Sequence, residues 1–251
     1  MNIEVELPSI YFVSAIILYL VVLFEMFYIW FVAQEKLKQF DLPLISNYSR
    51  IKRYIHHFML PSLLYISVVG FIYYNNQTAI RIPIIVLSFI AFFSLFINLR
   101  AFYQDKFKLE ESTYFVYDLI ELMIFFTMVN IGFHFIITTG VSPSVLVIFI
   151  FFISLLLLTL NLYQFENFNL NSMIFVTALS LVPTILVYIL FYHTDFYPNT
   201  NGLIISVLTF LTYYFIFGIL SHKLDGSLKP SVIIEYISIF LLTLAFLSGI
   251  S

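Results

Sequence analysis

The sequence predicts an all-α protein, a polytopic bundle of about eight transmembrane helices. Three observations carry this. Of 251 residues, 62% are hydrophobic and 10% charged, against roughly 25% charged in soluble domains. Such a composition is better solvated by lipid than by water. Several apolar runs also match or exceed the ~20 residues a helix needs to cross a hydrocarbon core of ~30 Å. Finally, Lys and Arg alternate between the loops that an eight-span topology places on opposite sides.

The runs lie near 9–33, 55–75, 80–103, 113–137, 142–164, 171–193, 203–221 and 230–250. The first follows Glu4 and Glu6 instead of a basic stretch, so it reads as an uncleaved membrane helix and not as a removed signal peptide. The breaks carry turn residues: Asn75-Asn76-Gln77, Thr138-Thr139-Gly140, Asn167 to Asn171, Pro198 to Gly202, and Asp225-Gly226-Ser227. No loop is long enough for a separate domain, so residues 1–251 read as one transmembrane domain.

With the N-terminus outside, ten of the eleven basic residues fall on one side: Lys36, Lys38, Arg50, Lys52, Arg53, Arg100, Lys106, Lys108, Lys223 and Lys229. Only Arg81 falls on the other. Cytoplasmic loops carry the excess of Lys and Arg, so both termini are expected outside a cell membrane crossed many times. Trp30, Tyr28 and Tyr48 then mark the inner interface, and Tyr73, Tyr74, Tyr192 and Tyr197 the outer one. The 31 Phe and 18 Tyr read most simply as lipid-facing packing.

Ionisable groups at membrane depth are costly and usually face a bundle interior or a wet cavity. Glu25 lies roughly 13 Å in from the cytoplasmic end of the first span, counted from Gln34 at 1.5 Å per residue. Asp118 and Glu121 lie about 10 and 15 Å in from Glu111 on the fourth, three residues apart and so on one face. Glu235 lies about 9 Å in from Lys229 on the eighth. Asn98 and Arg100 sit near the inner end of the third span, and Asn161 near that of the fifth. His56 and His57 open the second span, and His222 closes the seventh.

All of these fall in the cytoplasmic half, whereas the outer half holds mainly Asn130 and His134, with His193 and Asp195 at its rim. The pattern predicts an acidic polar cavity facing the cytoplasm, suited to a proton, a metal ion or a cationic solute. Its primary candidates are Glu25, Asp118, Glu121, Glu235, Arg100 and Asn98; His56, His57, His222 and Asn161 are further ones. Structural readings stand beside it. Arg100 can snorkel to the headgroups or pair with Asp118. The histidines are interfacial, and Glu235 lies within reach of the headgroups. Pro183, in the middle of the sixth span, predicts a kink.

The chain has no Cys, which removes disulfides, thiolate metal sites and Cys nucleophiles. It has no interior Lys for a retinal Schiff base, no His-x-x-x-His or His-Glu-x-x-His pair, no Gly-x-Ser-x-Gly and no phosphate-cradling Gly-rich loop. No residue is assigned a catalytic role, and no cofactor is implied. Three functions follow as expectations. The first is a small transporter or permease using the acidic cavity. The second is a membrane-embedded enzyme acting on a lipid or lipid-linked substrate, with carboxylates and histidines on a metal. The third is a non-catalytic subunit or sensor module. The expected partners are the lipid bilayer, a small solute or cation, and a membrane protein; nothing points to nucleic acid.

Overall fold

Continuous apolar runs without interior turn signals can satisfy their backbone in lipid only as helices, and helices form here. The computed structural model describes residues 59–75, 78–104, 110–164, 169–192, 202–224 and 226–248. Seven helices occur among them: α1 (Leu60–Tyr74), α2 (Thr78–Gln104), α3 (Glu110–Thr139), α4 (Pro143–Gln164), α5 (Leu170–Tyr192), α6 (Gly202–Leu224) and α7 (Pro230–Ser248). They occupy the second to eighth apolar runs. The first run, 9–33, lies outside the described residues.

Among the described residues four segments are long and apolar enough to cross a membrane: Val116–Thr139, Pro143–Leu162, Leu170–Tyr192 and Ile204–Leu224. The apolar stretches Leu60–Tyr74, Ile80–Leu95 and Pro230–Leu242 are shorter. The described residues thus form an all-helical protein of the multi-pass membrane type.

The helix ends follow local chemistry. α3 stops at Gly140, whose φ of 67° suits glycine and whose N–H donates to the Ile136 carbonyl at 2.9 Å. Pro143 opens α4, where its missing N–H costs nothing. The Asn169 side chain accepts from the Ser172 N–H at 2.8 Å and caps α5. Pro230 opens α7 after a turn containing Gly226 at φ 76°.

Contacts divide the chain into two units, Met1–Ile124 and Phe125–Ser251. In the first, α1 packs on α2; its buried side chains include Leu60, Leu64 and Phe71 of α1, and Phe92 and Leu95 of α2. In the second, α4 packs along α5, α5 against α6 and α6 against α7. The second half of α3 belongs to this unit. Gly132 lets α3 approach α4, since a Cβ there would lie 2.8 Å from Leu146 Cδ1. Phe125 stacks on Tyr213 of α6 with ring centroids 3.8 Å apart, and Phe133 meets Phe191 of α5 at 5.4 Å.

Polarity is arranged for lipid. Ile82, Phe89 and Phe93 of α2, Phe152 of α4, Ile174 of α5 and Leu242 of α7 are exposed. Ser67, Ser154, Ser180, Ser206, Thr127, Thr209, Asn130 and Asn161 are buried. Most buried hydroxyls return to their own helix. Ser154 donates to the Ile150 carbonyl at 2.6 Å, Thr184 to Ser180 at 2.8 Å and Thr209 to Ile205 at 2.8 Å. Such bonds leave no hydroxyl hydrogen facing hydrocarbon.

Candidate functional site

The segment Tyr117-Asp118-Leu119-Ile120-Glu121 lies inside α3. Buried positions on α3 include Tyr117, Ile120, Ile124, Phe125, Val129 and Phe133, each no more than 4% exposed. Leu119, on another face of α3, is 46% exposed. Glu121 lies among the buried positions, with 0% exposure.

Among the described residues neither Oε1 nor Oε2 of Glu121 has a hydrogen-bond partner. Its nearest acidic neighbour along the helix is Asp118, one turn toward the N-terminus and half-buried. An ionised carboxylate enclosed in this way carries a penalty of several kcal/mol. A neutral polar group left unsatisfied costs about 1–3 kcal/mol. Glu121 is therefore compatible with its surroundings when its charge is cancelled, by a proton or by a cation.

The other candidates are placed as follows. Asn161 of α4 is fully buried and donates through Nδ2 to Ser221 Oγ of α6 at 3.1 Å. Its Oδ1 accepts no hydrogen bond from the described residues. His222, next in the chain to Ser221, is half-buried; its Nδ1 lies 2.7 Å from Ser227 Oγ and its ring 6.1 Å from that of Tyr236. Glu235 is exposed on α7, about 7.5 Å along the helix from Pro230 at 1.5 Å per residue. Glu235 is therefore not enclosed in the manner of Glu121.

Pro183 is buried within α5, and the helix continues through it to Tyr192. Asn98 and Arg100 lie in the last two turns of α2, with side chains outside the described residues. Glu25, His56 and His57 also lie outside the described residues. Asp118 and Glu121 are thus brought to one stretch of α3, and Asn161 is brought to Ser221 beside His222.

A second polar seam joins α3 to α6 nearer the C-terminal end of α3. Asn130 Nδ2 donates to Ser206 Oγ at 3.5 Å, and Thr127, Thr209 and Tyr213 are buried with them. Sequence reasoning picked out Asn130 but not Ser206. The available signal was the spacing of Ser206, Thr209 and Tyr213, which share one face of α6. Where α4 begins and α5 ends, Ser144 Oγ lies 2.8 Å from Tyr192 Oη.

Among the described residues no group of three or more His, Asp or Glu side chains is placed to hold a metal. The chain matches no protein-family model, no curated protein and no solved structure.

Proposed function

We propose that the protein is a small transporter or permease of the cell membrane, with Glu121 as its ion-exchanging group. The observation that carries this reading is an enclosed carboxyl in a membrane-length helix with no hydrogen bond to either oxygen. A carboxyl whose role were to tie helices together would have a donor. One that must take up and release a charge is better left without a permanent one.

The topology that goes with this reading has eight spans, both termini outside and the basic loops in the cytoplasm. The ten-to-one division of Lys and Arg supports it. In that orientation Glu121 lies on the cytoplasmic half of α3, with Asp118 nearer the cytoplasm. Glu25, Asn98 and Arg100 are the further members of the polar set, at similar depth on the first and third spans.

The test is ion flux in vesicles. The full chain is reconstituted into liposomes holding a proton-sensitive or a sodium-sensitive dye. A gradient of that ion is imposed, and a panel of metal cations, organic amines and carboxylates is added outside. The wild type is expected to collapse one gradient with at least one solute, and Glu121→Gln with none. Wild-type vesicles indistinguishable from protein-free ones across the panel would overturn the reading and leave a structural or partner-binding subunit.

A further inference from the structure

We infer that a cation reaches Glu121 from the N-terminal end of α3, over Asp118, and that Asp118 selects positive charge on that route; this rests on Glu121 being the exchange group proposed above. Four residues border Glu121 on its own face of the helix, three and four positions to either side. Tyr117 is 4% exposed, and Ile124 and Phe125 are 0% exposed. Asp118 is the fourth, and it is half-buried. The one neighbour on that face with surface left open is therefore also the acidic one. It lies about 4.5 Å from Glu121 along the axis, toward the N-terminus of α3. Both neighbours on the C-terminal side are closed and apolar. In the orientation proposed above, the open side is the cytoplasmic one.

Burial and charge together give the route its direction. Glu121 is enclosed, and among the described residues neither of its oxygens has a hydrogen-bond partner. Any charge it takes up must pass a neighbour. Past Ile124 or Phe125 an ion would shed water against apolar side chains and gain no polar contact in return. Over Asp118 it keeps part of its hydration and meets a carboxyl group. The field of an ionised, half-buried carboxylate is weakened less than at an open surface, because the effective dielectric is lower. That field attracts a cation and repels an anion, and a passage of one sign raises the local concentration of the opposite one. Leu119 provides the contrast: next to Asp118 in the chain, it is apolar and 46% exposed on another face, as a lipid-facing residue is.

The test is thiol labelling of the full chain, which has no native Cys, in sealed vesicles. Glu121→Cys is treated with two impermeant methanethiosulfonates of similar size, one carrying a trimethylammonium group and one a sulfonate. Glu110→Cys and Val141→Cys, at opposite ends of α3, mark the two sides. Glu121→Cys should react from the Glu110 side alone. Relative to a small thiol in solution, it should favour the cationic reagent by about ten-fold. Adding Asp118→Asn should abolish most of that preference, and adding Asp118→Trp should slow both reagents severalfold. Adding Leu119→Trp should change neither. Asp118→Cys, with Glu121 in place, should react from the same side and decides the side of entry if Glu121→Cys does not fold. Reaction from the Val141 side or from both, no reaction from either, or a charge preference unmoved by Asp118→Asn would overturn the inference. One-sided labelling that depends on Asp118, with no ion flux in wild-type vesicles, leaves the route standing and removes the transport reading. Flux with labelling indifferent to Asp118 removes the route and leaves transport.

Discussion

Glu121→Met separates a structural carboxyl from a functional one, because the two roles give opposite signs. Methionine has nearly the length of glutamate and no group that needs a partner. Removing a buried, unsatisfied polar group should relieve about 1–3 kcal/mol. Shape changes in a volume-conserving swap should cost less than about 1.5 kcal/mol. Since Glu121 has no exposure and no hydrogen bond to return, the balance should be a gain of roughly 1 kcal/mol, set by those two terms. Equilibrium unfolding by increasing mole fraction of dodecyl sulfate in mixed micelles reads the difference, with helicity as the signal. The same variant should have lost flux in vesicles, the trade expected when a site is kept for activity at the expense of stability. A loss of more than about 1 kcal/mol would show that the carboxyl holds helices together through a partner, and the reasoning from its isolation would fail.

Three further outcomes follow from other parts of the chain. Gly218→Ala should destabilise by about 1–3 kcal/mol through overpacking, because the Tyr236 ring occupies the space its Cβ would need. Ala favours the helix by about 1 kcal/mol over Gly, so any loss in the unfolding titration reports the clash. Adding Tyr236→Leu should restore stability, and a stable single variant would show that α6 and α7 do not pack this way. A double-mutant cycle of Asn161→Leu with Ser221→Ala should give a coupling of about 0.6–1.7 kcal/mol. Thr159→Ala, which removes a bond within α4 alone, should show no coupling to Ser221→Ala. With no native Cys to interfere, Val141→Cys should react with an impermeant maleimide on intact cells, and Ser227→Cys only after permeabilisation. The reverse pattern would overturn the proposed orientation, and equal labelling the alternation of sides.

The helices were legible in the sequence because lipid imposes one rule on long stretches: apolar residues throughout and turn chemistry at the ends. Gly140, Pro143, Asn169 and Pro230 each mark an end by a property of a single residue, so no knowledge of neighbours was needed. Position along each helix was legible for the same reason, since rise per residue is fixed. Facing was not. Asp118 and Glu121 share a face by spacing, yet one is half-buried and the other enclosed. Glu235 was grouped with them by depth, yet lies exposed on α7. Every helix here is apolar on all sides, so no amphipathic stripe marks the inward face. Which helices meet decides that, and Asn130 with Ser206, Asn161 with Ser221 and Gly218 with Tyr236 are all meetings of separate segments.

The chemistry of the interior explains why one residue stands apart from so many buried polar groups. A Ser or Thr hydroxyl in a membrane helix carries its own hydrogen, and a backbone carbonyl three or four residues back lies within reach. Ser67 with Leu64, Ser180 with Thr177 and Thr212 with Leu208 all close that loop. Such residues can accumulate without any functional demand, because each settles its account within one helix. Asparagine offers both a donor and an acceptor, and in Asn130 and Asn161 the donor reaches a serine on another helix. An ionised glutamate has neither recourse. It brings no hydrogen, and the helix around it offers its side chain only carbonyl oxygens, which also accept. The local solution that most of the buried hydroxyls use is closed to an ionised Glu121. This makes the carboxyl responsive to an ion where its neighbours are not, and it is the physical reason to begin functional work at Glu121.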